Sequence, residues 1–463
     1  MHQSVLFDRD MIERYSQSGP RYTSYPTAVQ FNEKYSTEKY IELAKQTNED
    51  LIPSPLSLYF HLPFCRRVCY YCACNKIITN NRNRAKPYLE NLHKEIALQG
   101  KLFDRDRYVD QLHWGGGTPT FINNEQMREL MNVTRKYFTL RDDDSGEYSI
   151  ELDPREVDKK TIHLLRELGF NRMSVGVQDF DLTVQKSVNR LQTREQTEEV
   201  IKTARTENFY SISIDLIYGL PKQTVESFQR TLELIIELSP DRIAVYNYAH
   251  LPGMFKTQKQ IIEEDLPSAD EKLAILQNTI DQMTQAGYIY IGMDHFAKPD
   301  DELAVAQRNG NLHRNFQGYS THAECDLVGM GITSIGKIGN SYSQNLRTLD
   351  EYDKKINEGQ LPVFRGIELD KDDILRREVI MQLICQFHLD IEEVENKFKI
   401  DFADYFYNEK ITLEDMQADN LLNITDNCID VTPTGRLLIR NICMVFDRYL
   451  KQEQEKQRFS KVI

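Results

Sequence analysis

Short runs of β-branched and aromatic residues alternate with amphipathic stretches along the first half of the chain. The runs at 57–62, 108–114, 147–152, 172–177, 211–218 and 242–248 predict strands. Between them, residues 85–102, 124–138, 159–168, 193–206 and 225–238 repeat apolar positions at helical spacing and predict helices. Such alternation builds βαβ units on a parallel sheet, and those units wind right-handed. Six strands in this pattern predict an α/β fold with an incomplete (β/α)6 TIM-like barrel.

The strand ends carry a second pattern. The first strand runs into a cysteine-rich loop and the second into Gly115-Gly-Gly-Thr118-Pro-Thr. The third ends in Glu151-Leu-Asp153-Pro, the fourth in Gln178-Asp179, the fifth in Asp215-Leu-Ile-Tyr218-Gly and the sixth in Tyr248-Ala249-His250. Polar residues and glycines thus gather at the C-terminal edge of every strand, which is the catalytic edge of such barrels. The triple-glycine loop matches neither a dinucleotide fingerprint nor a Walker loop. Its bare backbone can still approach a ligand closely and offer amides to it, though a tight turn alone would use the same residues. Glu151 can accept hydrogen bonds from a ribose, or cap a helix N-terminus.

Beyond the barrel pattern, turn residues at Gly359-Gln-Leu-Pro362 predict a break, dividing the chain into a strap at 1–50, a barrel region at 51–360 and a helical region at 361–463. There, residues 370–387 predict a helix opened by acidic side chains, and 421–425 with 428–431 predict a small hairpin. Thr432-Pro433 predicts the capped start of a long final helix. Helices with a two-stranded wing suggest a winged-helix-like module.

Charge decides what that module serves. The 463-residue chain carries a net charge of −14 and a pI near 5.3, which disfavours nucleic acid as that module's partner. The basic residues Arg66, Arg67, Lys76, Arg82, Arg84 and Lys86 gather locally around the cysteines, although solvated surface accounts for most such residues. No apolar run reaches membrane-spanning length and no signal-like segment opens the chain, so the expected setting is the cytoplasm without membrane contact. No heptads occur, and a monomer is expected.

Half of the eight cysteines lie within ten residues, as Cys65-Arg-Arg-Val-Cys69-Tyr-Tyr-Cys72-Ala-Cys74. Structural zinc usually takes two separated pairs, and no second pair follows. A disulfide fits poorly with a reducing compartment. Cys325, Cys385, Cys428 and Cys443 stand alone and read as small buried apolar residues. An iron–sulfur site remains the strongest reading. Three thiolates on a four-iron cluster leave one iron open to a further ligand.

A CxxxCxxC loop after the first strand, a glycine-rich second loop and the barrel pattern resemble the radical S-adenosylmethionine superfamily. Within it, the chain is similar nearly end to end to the oxygen-independent coproporphyrinogen III oxidase family. The blocks that carry the resemblance include Gly19-Pro-Arg21-Tyr22-Thr-Ser-Tyr-Pro-Thr27, the cysteine loop, His113-Trp-Gly-Gly-Gly-Thr-Pro-Thr120 and Asp153-Pro-Arg-Glu156. Others are Gly176-Val-Gln-Asp-Phe180, Ile214 to Pro221, Gly292-Met-Asp-His-Phe296, Arg314-Asn-Phe-Gln-Gly-Tyr319 and Gly435 to Cys443.

The resemblance implies that Cys65, Cys69 and Cys72 hold a [4Fe–4S] cluster while Cys74 does not. It implies a first S-adenosylmethionine at Tyr59, Gly116, Glu151 and Ile335. A second molecule is implied at Tyr71, Gly117, Thr118, Gln178, Arg190, Asp215 and Ala249, with Tyr71 often Phe in relatives. It further implies cleavage of S-adenosylmethionine to a 5′-deoxyadenosyl radical, and conversion of two propionates of coproporphyrinogen III to vinyl groups in haem biosynthesis. A low-potential donor such as flavodoxin or ferredoxin would supply the electron. Arg21 is a candidate substrate contact, since a guanidinium binds carboxylates bidentately; the strap could equally just pack over the barrel mouth. The rivals are a haem chaperone of the same superfamily, which usually lacks the fourth cysteine and the N-terminal block, and a plain electron-transfer protein.

Overall fold

The computed structural model describes residues 5–322 and 325–450. Six parallel strands form where the pattern placed them: β1 (Leu56–Leu62), β2 (Tyr108–Gly116), β3 (Glu147–Leu152), β4 (Arg172–Gln178), β5 (Ser211–Tyr218) and β6 (Arg242–Asn247). Each pairs in parallel with the next. Four of the intervening helices begin at side-chain caps of this kind: Asn123, Thr193 and Thr224 form capping boxes, and Asp158 accepts from the Thr161 N–H.

The sheet is larger than the six-strand expectation. On one side β8 (His295–Ala297) pairs antiparallel with β6, and β7 (Ile289–Gly292) pairs antiparallel with β8. On the other, β9 (Asp326–Met330) pairs parallel with β1, followed by antiparallel β10 (Ile335–Ile338), β11 (Ser341–Asn345) and β12 (Val363–Glu368). Among the described residues, β7 and β12 end the strand order without pairing to each other, so the barrel is incomplete. The break expected at 360 therefore falls inside the sheet. Gly359, at φ +73°, only ends the helix Leu349–Asn357 before β12 resumes the ladder.

Alternation along the strands separates two faces. In β3 and β5 every second residue is buried, and Ile150, Leu152, Ile212, Ile214 and Leu216 pack into the core. The partly open positions between them form the inner face.

The helix Lys371–Gln386 starts at Asp370, in a capping box with Asp373. The expected two-stranded wing is a three-stranded sheet, because β13 (His388–Asp390) pairs with β15 (Cys428–Val431), which also pairs with β14 (Leu422–Ile424). The long final helix is corrected too: turns follow Pro433, and the helix spans only Ile439–Val445. Its expected continuation past 450 lies outside the described residues. Cys325, Cys385 and Cys443 are buried as expected, but Cys428 is partly exposed beside His388 and Asp430 on the wing.

The strap is latched to this C-terminal region. Arg440, 4% exposed, donates from Nε to the Pro20 carbonyl at 2.9 Å and from Nη2 to the Gly19 carbonyl. Asn441 donates to the Tyr15 carbonyl, the Leu6 N–H to the Pro433 carbonyl, and the Tyr22 hydroxyl to Asp447.

Candidate active site

Parallel register lines up the polar inner positions of neighbouring strands. Tyr59 of β1 sits beside His113 of β2, His113 beside Ser149 of β3, Glu151 beside Ser174 of β4, and Gly176 beside Asp215 of β5. Strand spacing of about 4.8 Å then brings their side chains into contact. The Tyr59 and His113 rings stack with centroids 5.8 Å apart, and the Tyr59 hydroxyl lies 3.1 Å from His61 Nδ1. His113 Nδ1 bonds Ser149 Oγ, while its Nε2 lies 3.3 Å from Glu151 Oε1. Glu151 Oε2 accepts the Gly116 N–H at 3.2 Å. Burial pushes the Glu151 carboxyl up, but the His113 contact and the Gly116 N–H outweigh it and hold the group below its usual range. Asp215 goes the other way: burial raises it to about 6, against a 2.7 Å hydrogen bond from Ser174.

The cysteine loop is pinned at both ends. Phe64–Cys65 pairs with Ile77–Ile78, and the Thr79 N–H donates to the Cys65 carbonyl. Gly117 fits beneath it because a Cβ there would stand 2.7 Å from the Pro63 carbonyl carbon and 2.8 Å from the Phe64 oxygen. Further along, the Tyr70 N–H donates to the Val188 carbonyl and Asn189 to the Val68 carbonyl. Gln258, 2% exposed, donates to the carbonyls of both Tyr71 and Ala249, joining the loop to the end of β6.

All three CxxxCxxC thiols have polar neighbours. Thr118 Oγ1 lies 3.5 Å from Cys65 Sγ, and Arg190 Nη1 lies 3.5 Å from Cys69 Sγ. A hydrogen bond from Cys74 holds Cys72 at about 6 against the effect of burial, with Lys76 adding to it. Burial raises Cys65 to about 11, and the nearby Cys72 and Cys69 add to the rise. Asp153 is raised by burial but held at about 2 by Arg190 and Arg155. Arg155 Nη1 and Arg190 Nε are buried without a hydrogen-bond partner among the described residues. Unsatisfied buried donors are uncommon. Here they sit beside thiols, as a site built for an anionic sulfur cluster or a ligand carboxylate requires. The residues present therefore fit the implied group.

The expected site residues divide by position. Gly116, Gly117, Thr118, Glu151 and Gln178 lie at or just beyond the ends of β2 to β4, Tyr59 and Asp215 lie within β1 and β5, and Arg190 follows the short helix Leu182–Ser187 after β4. Gln178 Nε2 and Arg190 Nη2 both reach over Gly176, within 2.9 and 3.0 Å of where its Cβ would be. Ile335 opens β10, its backbone against Gly329, the register partner of Tyr59. Arg21 reaches the barrel mouth but is ion-paired with Asp294 there. Its guanidinium also lies 5.9 Å from the Tyr246 ring. A cavity of about 730 Å3 opens at this mouth, lined by Arg21, Ala249, His250, Lys272, Asp294 and Arg440 among others.

His61, His113, Ser174, Arg155 and Gln258 were not expected in the site, and Asp153 was expected only as part of the polar strand-end edge. His113 and Ser174 carried a readable signal, because each alternates onto the face of a residue that was expected. Gln258 carried none: it lies on a short 3-10 turn, Lys256–Gln260, far from the loop in sequence.

Comparison with known proteins agrees with this geometry. Residues 59–235 match the Radical SAM superfamily model and residues 369–438 match the HemN C-terminal domain. An oxygen-independent coproporphyrinogen III oxidase from Pseudomonas aeruginosa is 53% identical over 463 residues, covering all of both chains. The protein of that name from Escherichia coli K12 is 50% identical over 461 residues, covering 100% of this chain and 99% of the relative. The solved Escherichia coli structure described as coproporphyrinogen III oxidase (HemN), a radical SAM enzyme, superposes with a TM-score of 0.91 at 48% identity, covering 96% of this chain and 100% of that one. With a strand-end site of this build and relatives alike over their whole length, the chain belongs to the oxygen-independent coproporphyrinogen III oxidase family of radical S-adenosylmethionine enzymes.

Proposed function

We propose that this enzyme converts two propionate side chains of coproporphyrinogen III to vinyl groups without oxygen, forming protoporphyrinogen IX for haem biosynthesis. The observation that carries the reading is the juxtaposition of a thiol-bearing loop, a polar strand-end rim and a large cavity lined by charged side chains at one mouth of the barrel. Each conversion removes one hydrogen atom, one CO2 and one electron from a propionate. The [4Fe–4S] cluster and S-adenosylmethionine, when bound, supply a carbon radical strong enough to take that hydrogen.

The chain's own residues supply position and shielding. Cys65, Cys69 and Cys72 hold the cluster, and Cys74 stays a hydrogen-bond partner of Cys72. Tyr59, Gly116, Glu151 and Ile335 place the first S-adenosylmethionine: Glu151, charged and facing the rim, accepts from ribose hydroxyls. Tyr71, Gly117, Thr118, Gln178, Arg190, Asp215 and Ala249 surround a second. The cavity has the size of an organic-ligand pocket, about 300–1,000 Å3. Arg21, Lys272 and Arg440 line it beside Glu13, Asp270 and Asp294, and their cationic donors are the groups that can receive propionates. The strap closes over it and limits water at the reacting carbon.

The enzyme works as a monomer in the cytoplasm, with eight unpaired cysteines suited to a reducing compartment. A low-potential carrier such as flavodoxin or ferredoxin supplies the electron.

Anaerobic turnover of coproporphyrinogen III with S-adenosylmethionine and a low-potential reductant tests the proposal. Vinyl product should form together with methionine and 5′-deoxyadenosine. An intact cluster that gives no product, in a protein that binds haem tightly, would make it a haem chaperone instead.

A further inference from the structure

Just past β3, three charged side chains close around one cysteine. Asp153 Oδ1 accepts the Arg155 backbone N–H at 3.0 Å and Arg155 Nε at 2.9 Å. Asp153 Oδ2 accepts Arg155 Nη2 at 2.6 Å and Arg190 Nη1 at 3.3 Å. The same two guanidinium nitrogens face Cys69 Sγ, Arg190 Nη1 at 3.5 Å and Arg155 Nη2 at 3.9 Å. The side chains of Asp153, Arg155 and Arg190 are 11%, 6% and 8% exposed, so solvent screens them little. Two arginines against one aspartate leave a net positive charge beside the sulfur. Arg155 Nη1 also has no partner of its own among the described residues.

Buried charges of this kind persist only where geometry holds them together. Arg155 is fixed by its own backbone turn on Asp153, so its fork meets Cys69 without side-chain freedom to lose. A positive charge and N–H···S contacts at a cluster ligand favour the reduced, more negative cluster over the oxidised one.

We propose that Arg155 is a positioning residue for the cluster, and that, braced by Asp153, it holds the Cys69 thiolate and, with Arg190, raises the cluster's reduction potential. The inference rests on Cys69 being a cluster ligand, as proposed above. It makes the electron easier to load from a biological donor, and Arg155 touches neither substrate nor reacting atoms in doing so.

The test is a redox titration of cluster-loaded protein, followed by electron paramagnetic resonance without S-adenosylmethionine, on wild type, Arg155→Gln and Arg155→Lys. Arg155→Gln should hold its iron and sulfide and titrate at a more negative potential, with Arg155→Lys recovering much of the shift. An unchanged or more positive potential in loaded Arg155→Gln overturns the proposal. If Arg155→Gln cannot hold the cluster, a loaded Arg155→Lys with a near wild-type potential supports the charge assignment, and loss of the cluster in both overturns it. Cys69→Ser, assayed for iron and sulfide, separates the two levels: a normal cluster there removes the ligand assignment itself, whatever Arg155 does.

Discussion

Glu151 meets any ligand already engaged, accepting the Gly116 N–H and facing His113. Glu151→Gln keeps the shape but removes the charge, and hydrogen bonds to a charged group contribute about 1.5–3 kcal/mol. S-adenosylmethionine binding, measured by calorimetry, should therefore weaken roughly 10- to 100-fold; unchanged affinity removes Glu151 from the ligand's surroundings. The cysteines divide more sharply. Cys65→Ser, Cys69→Ser and Cys72→Ser should each lose the cluster, read as iron and sulfide per chain. Cys74→Ser should retain it, since Cys74 acts through its hydrogen bond to Cys72.

The elements behind the site are fixed by a buried carboxylate. Glu95, 0% exposed on the helix Ala85–Gln99, accepts from the Gly331 N–H at 2.8 Å, the Tyr352 hydroxyl at 2.6 Å and Asn345 Nδ2 at 2.7 Å. It ties that helix to the turn after β9, to β11 and to the helix Leu349–Asn357. Burial lifts its carboxyl from 4.5 to about 7, against the pull of these donors. Between those pH values the folded state binds more protons than the unfolded one. Stability from this group is therefore fully present below 4.5 and lost as pH rises through about 7. The stability of wild type relative to Glu95→Gln should fall by about 3 kcal/mol across that window, as read by denaturant unfolding at each pH. A constant difference would show that Glu95 does not titrate there.

At the scale of the molecule, the strap and the C-terminal helix line the barrel mouth together. Arg440→Ala leaves the Gly19 and Pro20 carbonyls without this partner. At about 2 kcal/mol of lost local stability, amide exchange in residues 15–25 should rise roughly 30-fold. Binding of coproporphyrinogen III should weaken with it, because Arg440 and Arg21 line one cavity. Unaltered exchange would mean that the strap's other contacts, those of Leu6, Tyr22 and Asn441 among them, hold it without Arg440.

The parallel strands and their helices were legible in the chain because alternation and helical periodicity are local. Residues 147–152, 211–218 and 225–238 match the structure end for end. The cysteine loop was legible for the same reason, with its chemistry set by a spacing of a few residues. The outer strands were not. Ser341-Tyr-Ser-Gln-Asn345 carries no run of apolar residues, yet Ser341 and Ser343 are buried between paired strands, with Ser341 bonded to the Tyr35 hydroxyl from the strap. The Ser341 hydroxyl, which also donates to the nearby Ile338 carbonyl, meets its other partner, Tyr35, from 306 residues away, and no local pattern reports that contact. The clamp on Cys69 is the same case, since Arg155 and Arg190 stand 86 and 121 residues from the thiol they face. Sequence alone determined which atoms could bind a cluster. Only tertiary structure decided which charges surround them, because electrostatic contacts depend on distance in space, and the β-sheet register sets that distance.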